Sequence, residues 1–165
     1  MTSFDAPRYY EEVDAERRRR GLTWAGLARE LNAPFAHRPD IPPISPSTIS
    51  RVRERASLNG NIVVHTLMWL RRAPEEFIMG HPVNAAPLPE LTAGFLPRWD
   101  TAALFAAIEA KRRLDGLGWA DVARQVGLPP EVVRAFRKSA GFPGVMRVLA
   151  WLDRAAADFV VNVPV

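Results

Sequence analysis

The stretch GLTWAGLAR at residues 21–29 recurs as GLGWADVAR at residues 116–124, a shift of 95 positions. The match extends upstream at the same shift. It resumes downstream at shifts of 84 and then 82, where Trp69-Leu70 meets Trp151-Leu152. Two matched tryptophan pairs in a chain with five Trp are hard to obtain by chance. The chain therefore contains an internal duplication, which organises everything else in the sequence.

The two copies differ mainly by an insert and are joined by a proline-containing segment. The repeat register predicts a first domain at 1–79, with an insert at 33–43, and a second domain at 99–165. Residues 80–98 between them contain four prolines, which lack an amide donor and disfavour helix. We therefore predict a semi-extended, Pro-rich linker at 80–98.

Apolar residues inside each copy recur with helical spacing. Thr23 is placed as an N-cap, and Asn32 and Gly127 are placed to end helices in the left-handed conformation. Residues at i, i+3, i+4 and i+7 form one apolar face in both copies: Trp24, Leu27, Ala28 and Leu31, and Trp119, Val122, Ala123 and Val126.

A second helix is predicted to follow in each copy, from Ser45-Pro46 and from Pro129-Pro130. A short terminal helix is predicted around Glu75-Glu76 and around Ala157-Asp158. No alternating apolar and polar run of useful length predicts strands. The expected fold class is all-α, with two tandem four- to five-helix domains.

Composition excludes several kinds of protein. The absence of Cys excludes disulfides, thiolate zinc sites and cysteine nucleophiles, and the three His residues lack ligand-like spacing. No catalytic spacing of Ser, His and acid and no Gly-rich phosphate loop is present, so we expect no enzyme activity, metal or cofactor. Without a long apolar run or a signal-peptide pattern, we expect a cytoplasmic protein with no membrane partner. The net charge of +4 is compatible with nucleic-acid binding.

With the insert removed, residues 27–32 followed by 44–52 resemble the helix-turn-helix motif of the phage repressor and Cro-like (Xre) regulators. Residues 122–136 are similar in their core positions, with a small Ala, a turn Gly and a β-branched residue in the second helix. The resemblance implies repressor-like helix-turn-helix domains that bind double-stranded DNA sequence-specifically. It also implies a bacterial or phage-encoded, nucleoid-associated transcriptional regulator, more often a repressor than an activator.

The same resemblance implies which residues contact DNA. They are the residues that open each motif helix or lie one turn further on, where side chains enter the major groove and backbone amides meet phosphate. In copy one they are Thr23, Trp24, Ser45, Ser47, Thr48, Ser50, Arg51 and Arg55, with Arg38 from the insert. In copy two they are Trp119, Glu131, Arg134, Arg137 and Lys138.

Three features allow other interpretations. Trp24 and Trp119 stand where the family usually has a phosphate-contacting Gln, and core packing is the stronger interpretation for them. The insert falls in the motif's own turn, where it would either touch DNA or displace the reading helix. Arg17 to Arg20 follow several carboxylates and fit a solvated helix end better than a phosphate patch.

Two questions remain open at this point. The duplication would make the chain either a monomeric pseudo-dimer, with two readers about one DNA turn (roughly 34 Å) apart, or a homodimer with one reader per chain. The alternative function is a protein-interaction module with a repressor-like fold, such as an antitoxin-like or phage-encoded adaptor that binds a protein partner.

Overall fold

Each half of the chain follows the same order of elements in the computed structural model of the protein. The structure describes residues 3–54, 59–80, 85–138 and 141–165. The first half contains β1 (Ser3–Phe4), α1 (Ala6–Arg19), α2 (Trp24–Asn32), α3 (Pro46–Ser50), α4 (Gly60–Leu70) and β2 (Ile78–Met79). Short 3₁₀ helices lie at Ala33–Phe35, Val52–Glu54 and Pro74–Phe77.

The second half repeats this series. It contains β3 (Phe95–Trp99), α5 (Thr101–Leu114), α6 (Trp119–Val126), α7 (Pro130–Ala135), α8 (Phe142–Leu152) and β4 (Val160–Pro164), with a 3₁₀ helix at Ala156–Phe159. The mainly helical class is confirmed. The two short terminal helices predicted near residues 75 and 157 are also present, as 3₁₀ turns.

Hydrogen bonds repeat between the halves as well as helices. The backbone N–H of Asp5 donates to the carbonyl of Phe77 at 2.8 Å, and that of Asp100 donates to Phe159 at 2.7 Å. The indole of Trp69 donates to Glu30 near the end of α2 at 2.9 Å. The indole of its counterpart Trp151 donates to Gln125 near the end of α6 at 2.8 Å. The duplication seen in the sequence therefore extends to individual contacts.

The expectation that strands are absent is wrong. β1 pairs with β2, and β3 pairs with β4, as two antiparallel two-stranded sheets. Neither sheet gives a strong alternating pattern, because one pair is two residues long and the other contains Pro97. Proline is tolerated there because β3 has a single partner strand, so the missing amide can face away from the ladder. Residues 95–98, assigned to the linker from the sequence, belong to this strand.

The insert changes how α2 ends. Asn32 keeps a right-handed backbone with φ of −82°, so the left-handed ending expected there is wrong, whereas Gly127 has φ of +78° as expected. The Asn32 side chain instead accepts from Ile44 N at 2.8 Å and donates to Ile44 O at 2.9 Å. These two bonds close the insert at its base and return the chain to the start of α3.

The halves pack on each other through equivalent elements. α4 lies against α8, and Asn59 forms an antiparallel bridge with Gly141, its own counterpart at the shift of 82. The Asn61 side chain accepts from Trp99 N at 2.9 Å. Contact between equivalent residues is the signature of an isologous, two-fold interface. The two halves therefore contact each other partly through equivalent residues and elements.

One hydrophobic core runs through both halves. Buried residues of α1 to α4 and of α5 to α8 belong to a single cluster, and Leu88 from the connecting segment packs against it. The Glu75 side chain crosses between the halves and accepts from Ala156 N at 2.6 Å in a buried position. In the described part of the chain, no helix is long and apolar enough to span a membrane.

Candidate nucleic-acid interface

The first motif is formed by α2 and α3, which pack against each other. Thr23 Oγ1 accepts from Gly26 N at 3.0 Å and fixes the start of α2, as predicted for an N-cap. Ile49 and Val52 are buried, whereas Ser47 and Arg51 are exposed. The outer face of α3 is therefore polar and open to solvent, as a helix that reads the major groove requires.

Hydroxyl groups cluster at the start of α3. Ser45 caps the helix by accepting from Thr48 N, and its Oγ lies 3.0 Å from Ser47 Oγ and 2.9 Å from Thr48 Oγ1. Ser50 is half-buried one turn further on. Hydroxyls both donate and accept, so this cluster can bond to base edges or to phosphate oxygens.

The second motif, α6 and α7, carries charge instead of hydroxyls. Val133 and Phe136 face inward and are fully buried. The four charged residues predicted to contact DNA are all exposed: Glu131, Arg134, Arg137 and Lys138. The outer faces of α3 and α7 are therefore chemically different, although the two helices occupy equivalent positions.

Val132 is a surface residue of α7 that sequence reasoning missed. It is 38% exposed and occupies the position that Thr48 holds in the first motif. An exposed apolar side chain on a reading helix can contact the methyl group of thymine. The repeat register could have identified Val132, because this residue follows Glu131 and aligns with Thr48, and both of those were predicted to contact DNA.

The two motif tryptophans pack against aromatic rings of the preceding helix. Trp24 stacks on Tyr10 with centroids 5.5 Å apart, and Trp119 stacks on Phe105 at 5.6 Å. A guanidinium lies over each indole. That of Arg17 is 4.7 Å from the ring centroid of Trp24, and that of Arg112 is 5.0 Å from the ring centroid of Trp119. Both rings are half-buried in these stacks, so packing is their main role.

Arg53 was also missed, although it is the counterpart of Arg137. Its guanidinium lies 4.0 Å above the Tyr10 ring, and that of Arg137 lies 5.7 Å above Phe105. An exposed cation therefore covers the aromatic ring of α1 or α5 in each half, and it lies just after α3 or α7 in the chain. Aligning Arg53 with Arg137 at the shift of 84 would have found it. Arg55, the predicted contact residue of this segment, lies outside the described residues.

The insert packs inward at its start and is charge-paired at its tip. Phe35 is buried, with its ring 6.4 Å from that of His65. Arg38 makes two hydrogen bonds to the carboxylate of Asp40, at 2.8 and 2.7 Å. Hydrogen bonding to Arg38 lowers the pKa of Asp40 to about 2. Because its charge is matched locally, Arg38 is a weaker candidate for a DNA contact than the sequence suggested.

The arginine run at the end of α1 is engaged with carboxylates of its own helix. Arg17 and Arg18 pair with Asp14, and Arg19 and Arg20 pair with Glu16. The Arg19 hydrogen bond is the largest cause that lowers the pKa of Glu16 to about 2. These contacts are those of a charged helix end.

Comparison with family models, with curated proteins and with solved structures finds no match. The functional interpretation therefore rests on the geometry of the chain. In the residues described, no three His, Asp or Glu side chains converge as metal ligands would. The exposed side chains on and just after α3 and α7 carry more positive than negative charge: Arg51, Arg53, Arg134, Arg137 and Lys138 against Glu54 and Glu131.

Proposed function

We propose that the chain binds double-stranded DNA sequence-specifically as a transcriptional regulator, a repressor more readily than an activator. The observation that supports this proposal is that two halves with the same order of helices contact each other through equivalent elements, α4 against α8 and Asn59 against Gly141. Dimeric regulators of this kind use such symmetry to present two reading helices to successive turns of the major groove. Here, one chain supplies both.

The different chemistry of α3 and α7 makes the expected site asymmetric. Hydroxyls and Arg51 would read one half-site, and Arg134 with Val132 and Glu131 would read the other. Arginine pairs with guanine, a carboxylate accepts from cytosine, and an apolar side chain contacts thymine. A non-palindromic operator with half-sites about one turn apart follows from this arrangement.

Selection of binding sites from a random duplex library tests the proposal. We expect a single enriched asymmetric site, with affinity that falls steeply with salt because phosphates are contacted. Arg51→Ala and Arg134→Ala should each cost about 1–3 kcal/mol and relax the preference in different half-sites. Arg113→Ala, at an exposed position of α5, is the matched control and should leave affinity unchanged.

No enriched site, or equal affinity of the two variants and the parent, would overturn this proposal and favour the protein-interaction alternative. The stoichiometry is tested separately. In sedimentation the chain should behave as a monomer. On DNA, each chain should protect one site. A stable dimer would contradict the pseudo-dimer arrangement.

A further inference from the structure

A cleft of about 430 Å³ lies where the two halves meet. It is next to the bridge between Asn59 and Gly141, so it lies at the pseudo-two-fold contact. Its walls are formed by the start of α4, by strand β3 with the start of α5, and by Lys138, which follows α7 in the chain. The functional side chains in these walls are Asn59, Asn61, Arg98, Trp99, Thr101 and Lys138.

The cleft contains two cations and no lining carboxylate. Arg98 is half-buried, and its guanidinium donates to the carbonyl of Pro97 at 3.0 Å. Among the described residues, neither Arg98 nor Lys138 has an ion-pair partner. Burial lowers the pKa of the Arg98 guanidinium, as expected for a cation that is partly removed from water. A half-buried cation without a counter-charge is unfavourable, and an anion in the cleft would offset that cost.

The neutral groups of the cleft add hydrogen-bond donors. Trp99 lines the cleft and is 95% buried, and among the described residues its indole Nε1 has no acceptor, so this N–H is a reporter of changes at the cleft wall. Asn61 uses its oxygen to accept from Trp99 N at 2.9 Å, which leaves its Nδ2 as a donor. Thr101 contributes a hydroxyl. A site of two cations with an amide and a hydroxyl as neutral donors matches an anion with several acceptor oxygens.

We propose that this cleft binds a phosphate group and thereby joins the two halves at their contact. The group has two possible sources. It is either a phosphodiester of the DNA backbone between the two half-sites, which rests on the proposed function, or the phosphate of a small ester that acts as an effector. Both present the same oxygens to Arg98 and Lys138, and experiment separates them.

The indole N–H resonance of Trp99 gives a local readout in the full-length protein. It is assigned by its loss in Trp99→Phe, and the protein is then titrated with inorganic phosphate or with a duplex of about three helical turns. Sodium chloride at equal ionic strength is the control for screening. A shift with phosphate at millimolar concentration identifies a free-phosphate site. A shift with the duplex alone identifies the backbone as the source.

Variants connect the readout to the cleft. Arg98→Gln and Lys138→Gln should each weaken the response at least tenfold, whereas Arg98→Lys should restore part of it. Arg113→Gln, on the exposed face of α5, should respond as the parent does. No shift with either probe, or the same shift with chloride, would overturn the proposal.

The two proposals can fail independently. A phosphate response in a chain that selects no DNA site would sustain the cleft and reject the proposed function. Selection of a DNA site with an unmoved Trp99 resonance and normal binding by Arg98→Gln would do the reverse.

Discussion

At the scale of single residues, His65 shows how burial changes a titrating group. It is 1% exposed within α4, and its Nε2 has no hydrogen-bond partner among the residues that the structure describes. Burial, with a smaller contribution from the charge of Arg98, lowers its pKa from 6.5 to about 4. The folded protein therefore keeps this imidazole neutral, whereas the unfolded chain binds a proton below about pH 6.5.

Stability should consequently fall as the pH drops from 6.5 towards 4. Because the folded pKa is the lower one, the stabilisation is fully present above the unfolded pKa and is lost below it. Between pH 7 and pH 5, we expect a decrease of about 2 kcal/mol in the free energy of unfolding, measured by urea denaturation. His65→Gln should remove this decrease, and the exposed His37→Gln should retain it.

The carboxylates change the free energy of unfolding at more acidic pH than His65 does. The lowered pKa values of Glu16 and Asp40, both about 2, place their loss of stabilisation below about pH 4.5. A decrease between pH 7 and pH 5 that persists in His65→Gln would therefore contradict the assignment to His65.

At the scale of elements, the insert of the first motif acts as a packing element. Phe35 is buried between α2 and α4, and the 3₁₀ turn that carries it contacts strand β3 of the second half. Phe35→Ala should therefore lower the free energy of unfolding by about 3–5 kcal/mol, as measured by urea denaturation. Ile41→Ala, at a half-buried position of the same insert, should cost distinctly less. Equal small effects of both would mean that the insert contributes little to the core.

Most predicted helices and caps followed from the sequence, as at Thr23, Ser45 and Gly127, whereas the pairing of distant segments did not. Apolar periodicity and capping residues act within a few positions, so α2 and α6 were predictable from Trp24 and Trp119 onward. The sheets join segments that are 60 or more positions apart and short, as in Phe95 with Pro164. The replacement of a left-handed ending at Asn32 by two side-chain bonds to Ile44 also depends on a partner twelve residues away.

Because the repeat is also a pattern of the sequence alone, it predicted the exposure of some of the residues expected to contact DNA. Register and exposure agree for Ser47, Arg51 and Arg134, because the repeat fixes which side of a helix faces outward. The pairing of Arg38 with Asp40 could not be predicted, because it depends on how the insert folds. No local sequence pattern predicts how the insert folds.

At the scale of the whole molecule, the continuous core makes the halves one cooperative unit. Buried side chains of α4 and α8 pack in the same cluster, and the buried bond from Ala156 N to Glu75 has no equivalent in the opposite direction, because Pro74 takes the place of Ala156 and has no amide hydrogen. Unfolding one half would expose the apolar surface of the other, which is unfavourable. We therefore expect a single unfolding transition, with coincident curves from tryptophan fluorescence and circular dichroism.

Glu75→Ala tests this coupling because it removes a contact between the halves without touching either reading helix. The variant leaves the Ala156 amide buried and unpaired, which should cost about 1–3 kcal/mol. If the halves form one unit, the single transition should move to lower urea as a whole. Two separate transitions in the parent protein would show instead that the halves fold independently, with only the connecting segment to hold them together.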